Sequence, residues 1–127
     1  MVPLDCNVMR VLLVDDESSF RSALAGALED DGHPVSAFGS VEEVPDLTTL
    51  ADVAVLVTDY DLPGRSGFDL ADRLHATFPE IPVIVVTAYR NETVEGAAAI
   101  RGHLHVLDKP LDYETVHALL HRLTSVH

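Results

Sequence analysis

Val53-Ala54-Val55-Leu56-Val57-Thr58-Asp59 is an apolar run that ends on a hydroxyl and a carboxylate. A strand with one solvated face alternates apolar and polar residues, whereas a run this continuous reads as a parallel strand buried on both faces. The same design recurs on either side of it. Arg10 to Val14 precedes Asp15 and Asp16, Ile81 to Val86 precedes Thr87, and Leu104 to Leu107 comes just before Lys109. In an open, doubly wound α/β sheet the carboxyl ends of the strands meet in one crevice. Asp15, Asp16, Asp59, Thr87 and Lys109 are therefore expected to converge. Three carboxylates, a hydroxyl and an ammonium suit a divalent metal and phosphoryl chemistry: the cation offsets the repulsion among carboxylates, and the lysine offsets phosphoryl charge. The set reads as a phosphorylation site.

Composition agrees with a single domain. A chain of 127 residues, 47% of them hydrophobic, can bury a core of useful size. The formal net charge of −13 argues against direct binding of nucleic acid or of an anionic membrane. The only cysteine, Cys6, lies in a polar N-terminal tail, so no intramolecular disulfide can form, which fits a reducing cytoplasm. Residues 1–7 lack the basic and long apolar regions of a signal peptide, and no apolar run reaches membrane-spanning length.

Strands and helices alternate outward from the opening run. Arg10–Val14 is the first strand, and Ser18–Asp31 is a helix with Phe20, Leu24, Ala27 and Leu28 on one face, ended by Gly32. Pro34–Phe38 is the second strand. Ser40-Val41-Glu42-Glu43 has capping-box spacing and predicts a short second helix, distorted at Pro45. Val53–Thr58 is the third strand, and Gly67–Thr77 is a helix stopped by Phe78-Pro79. Ile81–Val86 is the fourth strand. Asn91–Ile100, which carries Gly96, predicts a short, weak fourth helix and a candidate moving part. Leu104–Leu107 is the fifth strand, and Tyr113–Leu123 is the closing helix, with Val116, Leu119, Leu120 and Leu123 facing inward. Five βα units favour a flavodoxin-like (βα)5 parallel sheet of order 2-1-3-4-5, which places strands one and three side by side and Asp15 and Asp16 beside Asp59.

Four motifs in this order resemble the receiver domain of two-component response regulators. They are Leu13-Val14-Asp15-Asp16-Glu17, Thr58-Asp59-Tyr60-Asp61-Leu62-Pro63-Gly64 with Gly67, Val86-Thr87-Ala88, and Leu107-Asp108-Lys109-Pro110. The resemblance spans Val8 to Leu123 and implies a tail at residues 1–7 followed by a receiver domain at 8–127. It implies that Asp59 is the phosphoacceptor, taking a phosphoryl group from a phosphohistidine. Asp15, Asp16, Asp59 and the backbone carbonyl of Asp61 would hold Mg²⁺, with Mn²⁺ as a substitute. Lys109, the only lysine, would pair with the phosphoryl group, and Thr87 would move to hydrogen-bond it. The Lys109-Pro110 peptide is similar to one that is usually cis in the family. Implied partners are a sensor histidine kinase or phosphotransfer protein, an output domain or effector such as a transcription regulator, and a second copy. Output and pairing would use the fourth helix, fifth strand and fifth helix. The resemblance implies a cytoplasmic switch and not an enzyme in its own right.

One position departs from the family pattern and two others tune it. Val106 stands where the family commonly has an aromatic residue, so coupling of a rotating ring to Thr87 is not expected. Asp61 and Tyr89 occupy places that tune dephosphorylation in receivers. Other readings of the same residues stand beside this one. Asp15-Asp16 could cap a helix, Asp59 to Gly64 could be a plain turn, Thr87 a strand-end cap, and Lys109-Pro110 an exposed lysine before a turn. Asp59-Tyr60-Asp61 has the Asp-x-Asp form of a haloacid-dehalogenase-like phosphatase, although the second acidic motif would then be out of order. A docking module that is never phosphorylated is a third possibility. His117 with His121, and His103 with His105, are expected to form a solvated or interface-facing cluster rather than a zinc site.

Overall fold

The structure, a computed structural model, describes residues 9–46, 49–50 and 52–124. The tail with Cys6 lies outside them. The elements run β1 (Val11–Val14), α1 (Ser18–Asp30), β2 (Val35–Phe38), β3 (Val55–Asp59), β4 (Asp61–Leu62), β5 (Arg65–Ser66), α2 (Gly67–Thr77), β6 (Val83–Thr87), α3 (Glu92–Ala99), β7 (Leu104–Asp108) and α4 (Tyr113–Thr124). The large sheet is parallel, in the order β2-β1-β3-β6-β7. Counting only its own strands, that is the expected 2-1-3-4-5.

The opening run shows why the sheet forms. Side chains alternate along a strand, and here both faces are covered. Leu12, Val14, Leu56, Val83 and Val85 pack with Phe68, Leu70, Leu74 and Val94 from α2 and α3. Val11, Leu13, Val55, Val57, Ile84 and Val86 pack with Leu24, Leu28, Val116, Leu119 and Leu120 from α1 and α4. No helix of the described residues is long and apolar enough to cross a membrane.

Helix ends follow local chemistry. Gly32, at φ +89°, follows the C-cap of α1. Its N–H donates to Glu29 O (2.9 Å), and His33 N–H donates to Leu28 O (3.0 Å), the paired bonds of a Schellman ending. A capping box opens α2, with Asp69 N–H donating to Ser66 Oγ (3.2 Å) and Ser66 N–H to Asp69 Oδ2 (3.1 Å). Asn91 caps α3 through Val94 N–H (2.9 Å).

The expected second helix is a correction. Residues 41–43 form turns, with bonds from Glu43 N–H to Ser40 O (3.3 Å) and from Val44 N–H to Val41 O (3.1 Å). Glu43 does reach back, to Gly39 N–H and Ser40 Oγ. The helix goes no further because Pro45 has no N–H and disfavours the helical backbone at Val44. Val41, Leu50 and Val53 still cover that face of the sheet. The antiparallel pair β4 and β5, turning at Pro63-Gly64, was not expected. The short α3 is pinned at both ends by arginines: Arg90 Nη1 lies 2.7 Å from Glu95 Oε1, and Arg101 makes two 2.9 Å bonds to Asp72 while covering the Phe68 ring.

Candidate functional site

Strand register brings the expected residues together. Val14 is opposite Thr58 in the β1/β3 ladder, so the residues that follow, Asp15 and Asp59, emerge side by side. Thr87 is opposite Asp108 in the β6/β7 ladder, with Lys109 N–H donating to Thr87 O at 2.9 Å. Asp15, Asp16 and Asp59 place carboxylate oxygens within 4.8 Å of one another. Asp15 and Asp59 are buried and Asp16 is exposed. Lys109 Nζ stands 3.2 Å from Asp15 Oδ2 and 3.6 Å from Asp59 Oδ2. The Lys109-Pro110 peptide is cis.

The electrostatics are those of a site short of positive charge. Burial pushes the Asp59 carboxyl up to about 6; the charge of Asp15 adds to the rise, and Lys109 and the backbone N–H of Asp61 oppose it. Burial would lower the Lys109 ammonium, but Asp15 and Asp59 together carry it above its usual value. Asp15 Oδ1 accepts from Glu17 N–H at 2.9 Å, and Arg21 Nη1 donates to Asp15 O at 2.6 Å. Asp15 Oδ2 is buried and, although Lys109 is close, accepts no hydrogen bond of proper direction. A buried carboxylate oxygen without a directed donor, inside an all-oxygen cluster, fits a hard divalent cation such as Mg²⁺ rather than a softer metal.

The modest readings are partly met. Glu17, not Asp15 or Asp16, is the N-cap of α1. Thr87 does cap its strand end, since its Oγ1 accepts from Tyr89 N–H at 3.2 Å, but it is also buried against the site. Asp61 begins β4 with its side chain exposed, and Tyr89 is 80% exposed. Val106 packs at the margin of the core beside α2 and α3. Where an aromatic residue was absent from the sequence, Arg90 supplies a brace: Nη2 donates to Val106 O (2.7 Å), and Nε donates to Asp108 Oδ1 (3.1 Å).

Other contacts were not legible in the sequence. Gly67 lies against the Asp59 backbone, where a Cβ would collide with the Asp59 carbonyl oxygen and meet Thr58 Cγ2 at 3.1 Å. Phe20, expected only as a core-facing residue, puts its ring 4.6 Å from Lys109 Nζ. His117 and His121 stack with ring centroids 6.2 Å apart. Among the described residues, the histidines grouped with a carboxylate are His33 and His117, around Asp31. His33 Nδ1 already accepts Met9 N–H at 3.2 Å, and His103 and His105 join no such group among the described residues.

Comparison with known proteins gives a consistent picture. The response regulator receiver domain profile matches residues 11–121. The DNA-binding transcriptional regulator NtrC of Klebsiella pneumoniae is 34% identical over 113 residues, which cover 89% of this chain and 24% of NtrC. The chain thus spans about a quarter of that relative. The non-phosphorylated HemR receiver domain of Leptospira biflexa superposes with a TM-score of 0.81 at 24% identity, covering 94% of this chain and 96% of that one. The beryllofluoride-activated NtrC4 receiver domain dimer gives 0.79 at 26% identity, covering 91% and 95%.

Proposed function

Because the chain belongs to the response regulator receiver domain family, we propose that it is a phosphorylation-driven switch in which Asp59 accepts the phosphoryl group. The observation that carries this reading is the cluster itself: three carboxylates within 4.8 Å of one another, with the only lysine's Nζ 3.2 Å from one and 3.6 Å from another. Asp59, with its pKa pushed up to about 6, is largely ionised at neutral pH and free to act as a nucleophile. One of its carboxylate oxygens attacks phosphorus on a donor phosphohistidine. The new O–P bond forms as the P–N bond breaks, and the leaving imidazole keeps that electron pair and takes a proton from solvent. Lys109 stands where it balances charge on the transferred group, and the Thr87 hydroxyl, whose oxygen accepts from Tyr89 N–H, can donate its proton to a phosphoryl oxygen.

Asp15, Asp16, Asp59 and the Asp61 carbonyl would hold Mg²⁺, or Mn²⁺ in its place. Such an ion supplies charge neutralisation for the phosphoryl oxygens and the crowded carboxylates. Asp15 Oδ2, buried without a directed donor, supports that assignment. The partners are a sensor histidine kinase or phosphotransfer protein, in the cytoplasm, and an output domain or effector. Transcriptional output follows the kinship with NtrC. The receiving face is that of α3, β7 and α4, where β7 is only half-buried and a groove of about 350 Å³ opens beside Arg90, His105 and Arg122. The NtrC4 receiver dimer supports homodimerisation, for which this face is the proposed seam. A phosphorylation-independent docking role keeps one observation in its favour, the Arg90 brace in place of a ring at Val106. The phosphatase reading has none, since the acidic pair Asp15-Asp16 precedes Asp59 and Lys109 in the chain instead of following the lysine.

Incubation with acetyl phosphate should add one phosphoryl mass to the wild type in the presence of Mg²⁺ and none to Asp59→Asn. Amide NMR should show shifts that reach α3. Absence of modification under saturating donor, with an unchanged spectrum, would leave the docking role standing instead. Asp61 is then tested through the lifetime of the product. Its exposed carboxylate, anchored next to Asp59 through its own N–H, can accept a proton from attacking water. Asp61→Asn should slow loss of the phosphoryl group. An unchanged decay rate would remove Asp61 from the chemistry.

A further inference from the structure

The only lysine is held from three sides, and one of them is not a carboxylate. Lys109 Nζ lies 3.2 Å from Asp15 Oδ2, 3.6 Å from Asp59 Oδ2 and 4.6 Å from the centre of the Phe20 ring, over its face. We propose that Phe20 is a positioning residue for the phosphoryl chemistry, its ring face holding the Lys109 ammonium beside the carboxylate cluster. The proposal rests on Asp59 being the phosphoacceptor.

Competition for the carboxylates makes the ring matter. A lysine has a flexible four-carbon stem and a compact charge that follows its nearest acceptors. Asp15 and Asp59, its ion-pair partners, are the same groups that suit a divalent cation. Any cation that engages their oxygens weakens their hold on Lys109, and phosphorylation of Asp59 changes the remaining partner. The ring face attracts an ammonium through its quadrupole and offers no oxygen to a hard cation. Phe20 is thus the one contact of the three that survives both events.

The ring is also well anchored. Phe20 is in the first turn of α1 and packs at the margin of the core that holds Leu24 and Leu28. The start of that helix is tied to Asp15 through Glu17 N–H at 2.9 Å and Arg21 Nη1 at 2.6 Å. Phe20 also lines a narrow groove with Leu24, Leu111 and Tyr113, so it borders the chain two residues beyond Lys109. Asp15, the ring and the backbone carrying Lys109 are therefore held by one helix.

The test compares wild type, Phe20→Leu and Phe20→Tyr, each with Lys109 intact and as Lys109→Ala. Two readouts are used: the rate of Mg²⁺-dependent mass gain from acetyl phosphate, and the Hε/Cε NMR shift of Lys109, unambiguous because the chain has no other lysine. Leucine keeps apolar volume at a half-buried site, and thermal unfolding checks that each variant is folded. Phe20→Leu should move the Lys109 Hε signal downfield, out of the shielding of the ring. It should also slow phosphorylation by about three- to tenfold, the range of a partly desolvated cation–π contact. Phe20→Tyr should restore both. In the Lys109→Ala background Phe20→Leu should cause no further slowing. Equal slowing in both backgrounds, or an unmoved Lys109 signal, would overturn the proposal while leaving Asp59 as the acceptor. A wild type that gains no mass would overturn the acceptor reading itself, and the proposal with it.

Discussion

Asp59→Asn is expected to stabilise the metal-free domain at pH 8 by about 1–3 kcal/mol and to change it little near pH 4. The sign follows from the raised carboxyl. Asp59 titrates at about 6 in the folded chain, against 3.8 for the ordinary group, because burial and Asp15 disfavour its charge more than Lys109 favours it. Below about pH 4 it is protonated in both the folded and unfolded states, and no penalty exists. Between about 4 and 6 the folded chain binds more protons than the unfolded one, so stability falls as pH rises. Above about 6 the whole cost is present, at most about 3 kcal/mol for a shift of this size. Asparagine removes the charge and with it this group's share of the pH dependence. Mg²⁺ should raise the stability of wild type much more than that of Asp59→Asn, since its binding to the folded state depends on that carboxylate. Urea titrations at pH 4 and pH 8, with EDTA and then with Mg²⁺, measure all of this. A stability difference that ignores pH would mean that the Asp59 charge is not strained.

Gly67→Ala should destabilise the domain by about 2–3 kcal/mol, against the direction that helix propensity gives. Gly67 opens α2, where alanine is ordinarily the better residue. The added methyl would run into the carbonyl oxygen of Asp59, with Thr58 Cγ2 at 3.1 Å behind it, and neither group is the yielding end of a flexible side chain. The Gly67 N–H also donates to Tyr60 O at 2.7 Å, so the two segments cannot separate without losing a bond. Relief must come from the backbone of Asp59, and the carboxylate moves with it. Metal affinity and phosphorylation should therefore fall together with stability. Gly96→Ala in α3 is the control, because a Cβ there meets nothing within 4 Å. It should stabilise by about 0.5–1 kcal/mol. Parallel thermal unfolding of the two variants checks the opposite signs, and a neutral Gly67→Ala would show that the loop after β3 yields.

Hydropathy pattern along the chain is enough to give the sheet, its order and the residues at its carboxyl edge. Continuous apolar runs such as Val55 to Val57 can be satisfied only by burial on both faces, and parallel strands with right-handed crossovers leave few orders to choose from. Asp15, Asp16, Asp59, Thr87 and Lys109 were legible for that reason: each is the last residue of a strand or lies within two residues of its end. The segment after Ser40 departs from the helix its capping-box spacing predicts, because that spacing is a local signal and Pro45 ends the turn before a helix can grow. The neighbours that complete the site come from packing between distant segments. Phe20 faces Lys109 from 89 positions away in the chain, Gly67 meets the back of Asp59, and Arg90 reaches Val106 and Asp108 across two strand ends. Contacts of this kind depend on how the helices lie on the sheet and where each side chain ends, which no spacing along the chain encodes. The raised pKa of Asp59 belongs with them, since it arises from burial and from the charges the fold brings beside it.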